Sequence, residues 1–564
     1  MKFGTLCRIL LPLVVAAALP VWSAQPVHTR HGMVVTAEPH ATDVGVKVLQ
    51  AGGNAVDAAV AVGFALAVTH PTAGNLGGGG FMLVRMADGR TSFIDFRERA
   101  PQAATRNMYM APDSAVTRDS IEGHRAAGVP GTVLGLEHAW RKFGKKTWSE
   151  LVLPAARLAT QGYALSFFEA TSMRNAARGR GGAKGLSDYP ESNRIFLRNG
   201  NYYEPGETFV QPDLGRTLGR IAGLGARAFY QGETAALLAK DMKANGGLIT
   251  LDDLKGYRVI ERAPLIGSHR GYTIVTAPPP SSGGIGLLQM LGVLEGTGFE
   301  KSGAGSAAAV HYMAEATRHY FADRSNLGDP DFVKVPLAGL LSPEHISRIR
   351  ASIDPERATP SANVKPAVFT GCESDQTTHY SIADVEGNVV AVTYTLNGSY
   401  GSKATATGLG FLLNNEMADF APNPGNPNMY GLVQGEANAI QAGKTPLSTM
   451  TPTIVLRDGK PYLVLGSPGG PTIVNTLLEV LVNVIDWKMN VQDAVNWPRF
   501  HHQWLPDELR MEPGYSPDTV ALLEKRGHAV RRVESQGQCA AIEINDGWLK
   551  GAADPRSGGK AAGY

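Results

Sequence analysis

Apolar and polar positions change period several times along the chain, and each change marks an element. From residue 41 the apolar positions recur at helical spacing: "ATDVGVKVLQAGG" ends on a glycine pair, and Asn54 is placed to cap a second segment, "AVDAAVAVGFALAVTH". That segment is apolar on nearly every side, which predicts a helix buried all round. The glycine loop "GNLGGGG" then leads into two predicted strands joined at Ala87-Asp88-Gly89. Helical spacing returns over residues 130–330, in stretches such as "GTVLGLEHAWRKFG", "TWSELVLPAARLATQG" and "AAAVHYMAEATRHYFADRSN", and one strand, "GYTIVTAPPP", interrupts it. Residues 340–376 gather Pro, Ser and Asn, lose periodicity, and read as a mobile connector.

At residue 377 the period drops to two. "TTHYSIADVEGNVVAVTYTLN" alternates about the turn signal Glu386-Gly387-Asn388, predicting a hairpin with strands over Thr378–Asp384 and Val389–Thr395. A second hairpin is predicted in "TPTIVLRDGKPYLVLGSPGG"; it ends in a sharp glycine turn and feeds a helix, "TIVNTLLEVLVNVIDW". Helices, sheet, then sheet and helices again predict a layered α/β fold with the sheets inside.

Composition narrows the class. The chain has 564 residues, 43% of them apolar and 18% charged, with 66 glycines, a composition suited to a large packed core. The first two dozen residues stand apart: Lys2 and Arg8 precede an apolar run at 9–19, and Val21 and Ser23 are small residues at a cleavage position, so residues 1–24 read as a secretory signal peptide. Lys and Arg number 53 against 51 Asp and Glu; two of those bases lie in the leader, so the remainder is formally neutral. Neither a basic patch for nucleic acid nor a polybasic tract for a membrane surface is expected. Beyond the leader only Cys372 and Cys539 remain, too few for a disulfide framework, and the reading is against a bridge. No further segment has the length and apolarity of a membrane span.

Candidate chemistry follows from four features. Thr377-Thr378 opens a strand after a flexible leader. Thr is a common strand residue, but a threonine with a free α-amine holds a nucleophile and its base in one residue, and that amine titrates near pH 8. Such a group exists only if the bond between Gln376 and Thr377 is cut. "LGSPGG" at 465–470 is a glycine turn able to aim two amides at one oxyanion, or a plain βα turn. Arg97, in "DFRER", is flanked by Asp95 and Glu98, which makes a structural ion pair the default; a buried arginine also suits a substrate carboxylate. Glu416 and Asp419, in "LLNNEMADF", fit an ammonium grip or a solvated face equally. "APPPSSGGIG" lacks the Gly-Lys-Ser/Thr ending of a phosphate loop and reads as structural. His501-His502 are adjacent and would face opposite ways on a strand, and no zinc spacing occurs, so no metal and no cofactor is expected.

In order along the chain, "AGGNAVDAAVAVGFALAVTHP", "GNLGGGGFM", "DFRERAP", "TTHYS", "LLNNEMADF", "PLSTMTPT", "GSPGG" and "DPRSGGKAAGY" resemble the γ-glutamyltranspeptidases, which are N-terminal-nucleophile hydrolases. The resemblance implies a four-layer αββα sandwich, made as one chain and cut into a large subunit (25–376) and a small subunit (377–564). It implies that Thr377 attacks the Gln376 carbonyl and afterwards the γ-carbonyl of glutathione or a related amide, passing the acyl group to water or to an amino-acid amine. Carried over by motif, Gly469 and Gly470 would form the oxyanion hole and Thr395 would orient Thr377. Arg97 and Ser448 would hold the α-carboxylate, and Asn397, Glu416 and Asp419 the α-ammonium. Two positions depart from many members: Thr449 follows Ser448 where they have Ser-Ser, and Glu416 stands where bacterial members often have Gln. The segment at 422–435 resembles a lid loop, with Tyr430 as its closing residue. Partners would be small molecules and the two subunits themselves. The alternatives are an acylase on the same scaffold, which needs no ammonium grip, a periplasmic binding protein for amino-acid derivatives, and a non-processing relative.

Overall fold

The computed structural model describes residues 23–113, 115–179, 181–366, 377–426 and 435–564. Fourteen strands build two antiparallel sheets. In chain order they are β1 (Val27–Thr29), β2 (Gly32–Thr36), β3 (Gly79–Arg85), β4 (Thr91–Asp95), β5 (Ile260–Arg262), β6 (Leu265–His269), β7 (Tyr272–Thr276), β8 (Thr378–Asp384), β9 (Val389–Thr395), β10 (Thr453–Arg457), β11 (Lys460–Gly466), β12 (Ala540–Asn545), β13 (Trp548–Ala553) and β14 (Lys560–Gly563). The first sheet runs β14-β2-β8-β9-β3-β4-β5 and the second β1-β13-β12-β11-β10-β7-β6. Each sheet interleaves strands from before and after residue 377, so β8 lies between β2 and β9.

The helices cover the outer faces. On the first sheet lie α1 (Pro39–Gln50), α2 (Ala55–Thr69) and α3 (Thr132–Phe143), with α4 (Trp148–Gln161) packed over α2; on the second lie α5 (Gly283–Leu294) and α8 (Thr472–Ile485), with α6 (Ala307–Arg324) and α7 (Pro343–Ser352) packed over α5. This is the αββα arrangement. Strand period decides it: Tyr380, Ile382, Val390, Val392 and Tyr394 point to the α1–α4 side, while Ala383, Val389 and Ala391 face the second sheet.

Helix α2 starts where Asn54 and Asp57 form a reciprocal cap, and every residue in it is buried. It is locked to the hairpin by two hydroxyls: Tyr380 donates to the Ala59 carbonyl at 3.0 Å and Tyr394 to the Gly63 carbonyl at 3.0 Å. Both hairpins form where alternation predicted them. At the β10–β11 turn Asp458 and Gly459 both have positive φ (53° and 77°), as a two-residue hairpin requires.

One expectation is corrected. Part of the 340–376 span, read as an aperiodic connector, is helix α7. Ser342 caps it by accepting from the His345 amide at 3.1 Å, Pro343 opens it, and Ile349 is buried. A start signal and a short apolar spacing were present but too brief to outweigh the surrounding polar residues. Among the described residues, no helix is long and apolar enough to cross a membrane.

Candidate active site

Thr377 immediately precedes β8 and is 7% exposed. The hairpin register pairs Thr378 with Tyr394, which sets Thr377 opposite Thr395 at the strand ends. Thr395 is held from three directions. Its carbonyl accepts from Asn75 Nδ2 at 2.7 Å, its hydroxyl accepts from the Asn397 amide at 2.7 Å, and its backbone pairs with Gly79. The glycine loop explains itself here, because a Cβ on Gly78 would lie 2.0 Å from the Thr395 carbonyl oxygen. Two residues along β8, His379 is fully enclosed, with Nδ1 2.8 Å from Thr393 Oγ1 and Nε2 3.1 Å from Ser381 Oγ. Burial pushes its pKa down to about 3, so this imidazole stays neutral and tied to the strand rather than serving as a base.

At the far end of β11, "LGSPGG" turns sharply into α8. Gly469 (φ 122°) and Gly470 (φ 53°) both occupy conformations that favour glycine. Their carbonyls point away from the turn: Gly469 O accepts from the Thr472 amide (3.1 Å) and hydroxyl (2.7 Å), and Gly470 O accepts from the Ile473 amide (3.0 Å) and Thr449 Oγ1 (2.8 Å). Among the described residues, neither the Gly469 nor the Gly470 amide donates a hydrogen bond. Two amides of one turn, both at glycine-favouring φ, are therefore left without an acceptor among the described residues. The Thr449 hydroxyl is thus engaged with the turn itself.

Arg97 follows β4 and is 2% exposed. Its guanidinium pairs with Glu416 through Nη1 and with Asp419 through Nη2, and Glu98 Oε2 stands 3.6 Å from Nη1. Nη2 also donates to the Leu447 carbonyl at 3.3 Å. The default reading of Arg97 as a local pair with its neighbours therefore holds only for Glu98: Asp95 bonds the Arg97 amide at 3.0 Å, while its carboxylate pairs with Arg262 at 2.7 Å. Nor is the Glu416/Asp419 pair a solvated face, since both side chains are buried. Three buried carboxylates surround one guanidinium. Burial raises Glu98 to about 7 against the pull of Arg97, and burial raises Glu416 well above the carboxylate range, with Glu98 and Asp419 adding to the shift. Among the described residues, neither Glu98 oxygen has a partner at hydrogen-bonding geometry.

Backbone links tie this cluster to the strand ends. Asn397, in the left-handed region (φ 68°), donates from Nδ2 to the Asn415 carbonyl at 2.8 Å, one residue before Glu416. Asn438 Nδ2 donates to the Asp419 carbonyl at 2.6 Å, and its Oδ1 accepts from the Leu447 amide at 3.1 Å. Ser448 Oγ accepts from the Met450 amide at 3.1 Å, and the Ser448 carbonyl accepts from the Ser282 amide at 2.6 Å. The "PPSSGG" loop is accordingly structural and holds the Ser448 segment. Sequence reasoning missed Asn438 and Asn414; the latter accepts from the Gly128 and Glu416 amides at 2.8 and 2.9 Å. Their neighbours, in "LLNNEMADF" and "EANAI", signal nothing about these distant bonds. Gln376, Tyr430 and Cys372 lie outside the described residues, as does the leader to residue 22. Cys539 is a buried free thiol.

Comparison with known proteins adds the family. A family model described as "Gamma-glutamyltranspeptidase" matches residues 41–564. The glutathione hydrolase proenzyme of Escherichia coli (strain K12) is 49% identical over 538 residues, covering 94% of this chain and 91% of that protein. The solved γ-glutamyltranspeptidase of Helicobacter pylori is 44% identical with a TM-score of 0.57, covering 62% of this chain and 97% of its own. A cephalosporin acylase from Bacillus halodurans superposes over 98% of this chain and 99% of its own, with a TM-score of 0.84 at 25% identity.

Proposed function

The chain belongs to the γ-glutamyltranspeptidase family, and on that premise we propose that it is a self-processing γ-glutamyltransferase and glutathione hydrolase whose nucleophile is Thr377. While Thr377 is internal, its nitrogen is a peptide amide and has no basic lone pair. In processing, the Thr377 hydroxyl adds to the Gln376 carbonyl and the peptide C–N bond breaks, leaving an ester at Oγ and a free α-amine. Water then cleaves the ester, giving a large subunit of 25–376 and a small subunit of 377–564. The Helicobacter chain supports that division by size: nearly all of it covers 62% of this chain, the share that residues 25–376 make up.

In turnover the α-amine takes the proton from Thr377 Oγ as the oxygen attacks the γ-carbonyl. The oxyanion receives the Gly469 and Gly470 amides, and the leaving amine takes the proton as the C–N bond breaks. Water or an amino-acid amine then attacks the γ-glutamyl ester by the same route. Thr395 orients the hydroxyl. Arg97 and Ser448 take the α-carboxylate, while Asp419, Glu416 and Asn397 take the α-ammonium. Before substrate arrives, the two halves of this zwitterion site satisfy each other. Arg97 exchanges one internal carboxylate for that of the substrate, and the acid so released meets the ammonium.

The observation that carries the reading is the buried Arg97–Glu98–Glu416–Asp419 cluster, joined through Asn397 to the strand end opposite Thr377. It also favours this reading over a glutaryl acylase, because a glutaryl group brings no α-ammonium to an acid-rich pocket. The segment at 1–24 supports export, and the acceptors are small amines. Thr377→Ala tests the nucleophile: it should leave one uncut chain without activity. A two-chain product from that variant would remove Thr377 from the role.

A further inference from the structure

Away from the active site, α6 carries His311 and Glu315 one turn apart on one face, and His528 meets them from the segment after residue 377. Ligand-capable atoms of all three lie within 4.8 Å of one another, and all three side chains are buried. The chain reverses at Gly527 (φ 95°), where the His528 amide bonds to the Leu523 carbonyl at 3.1 Å, and this turns the His528 ring inward.

We propose that His311, Glu315 and His528 form a binding site for a zinc-class divalent cation that fastens the segment preceding the processing junction to the segment that follows it.

The hydrogen bonds set the ligand atoms. His311 Nε2 lies 2.8 Å from the Asp354 carbonyl, which fixes the proton on Nε2 and leaves a lone pair on Nδ1. A backbone carbonyl holding the second nitrogen is the usual outer support of a metal-bound histidine. His311 Nδ1 faces His528 Nε2 at 2.9 Å. Two nitrogens on a tetrahedral zinc stand about 3.4 Å apart, so the rings need part by only about half an ångström. Glu315 Oε1 accepts from Arg318 Nε and the Thr359 amide, both at 3.2 Å, whereas Oε2 is buried and has no partner among the described residues. His528 Nδ1 is likewise without a partner. When the cation takes His528 Nε2, the proton of that nitrogen moves to the vacant Nδ1, and the ring stays neutral.

The surrounding charge permits a cation. Arg318 pairs with Glu315 and Asp507, and Arg526 pairs with Glu356 at 3.3 Å. Two imidazoles and one carboxylate select a zinc-class ion over calcium or magnesium, which want all-oxygen sites, and leave a fourth position for water. The site lies directly beneath residues 354–359, whose backbone it holds through Asp354 O and the Thr359 amide. After cleavage it would be a cross-link between two chains rather than part of the chemistry.

The test uses untagged, processed protein dialysed against EDTA and titrated with Co(II), whose tetrahedral complexes absorb strongly in the visible. One equivalent per chain pair should give that band, Zn(II) should abolish it, and Zn(II) should raise the melting temperature. His528→Gln and Glu315→Gln should each weaken Co(II) binding at least tenfold while metal-free glutathione hydrolysis is unchanged. Absence of a saturable band in the wild type overturns the proposal even if a variant fails to fold. Equal binding by the wild type and both variants overturns it too. Loss of hydrolysis in Thr377→Ala bears on the nucleophile and leaves this site untouched.

Discussion

Replacing Asp419 by Asn keeps the shape of the side chain and removes one charge from the acid cluster. The carboxylate is buried beside Arg97 and is among the groups proposed to meet the substrate ammonium. At about 4 Å and an effective dielectric of about 20, an ammonium–carboxylate pair attracts by about 4 kcal/mol. Desolvation of both ions takes back part of that, so a net loss of about 2–3 kcal/mol is expected, the low end of the range for breaking a buried charge pair. At about 1.4 kcal/mol per decade, kcat/KM should fall about 30- to 140-fold. Arg97 retains Glu416, so the fold should survive. The assay compares a γ-glutamyl anilide with its glutaryl counterpart, which lacks the α-amine. The first should lose the full factor, and the second should stay within about threefold of wild type. Equal loss on both substrates would refute the ammonium grip and return the acylase reading to the front.

Two further outcomes follow from the same geometry. Gly469→Ala places a Cβ 2.3 Å from Thr472 Oγ1 at a φ of 122°, so the turn must shift and the proposed oxyanion donor with it; kcat should drop about 100-fold with KM little changed, measured by steady-state kinetics on the γ-glutamyl anilide. Glu98, raised to about 7 when folded, binds a proton more tightly in the native chain than in the unfolded one, so its contribution to stability is present at low pH and is lost as pH rises from about 4.5 through 7. Glu98→Gln should therefore gain stability relative to wild type across that interval in thermal melts, and a difference independent of pH would count against the shift.

The hairpin at 378–395 was legible because alternation, turn residues and burial all act within two dozen positions. Helix α2 was legible for a similar reason: its cap is local and its apolar surface continuous. The partner of Arg97 was not. Asp419 lies 322 positions away, and nothing near "DFRER" indicates that Glu416 and Asp419, rather than Asp95, would meet the guanidinium. Thr449 illustrates the same limit, since its bond to the Gly470 carbonyl depends on where the β11 turn lands. Helix α7 was lost for the opposite reason, a local signal too short to register against a polar stretch. Chemistry proposed for one residue, as at Thr377, leaves its signal in a string; chemistry shared by distant residues requires the fold.

The proposed chemistry requires Thr377 to become an N-terminus. The denatured intact mass of purified wild-type protein tests it most directly. Two masses are expected, the smaller that of residues 377–564 beginning at Thr377. A single mass spanning residue 377 in fully active protein would contradict it.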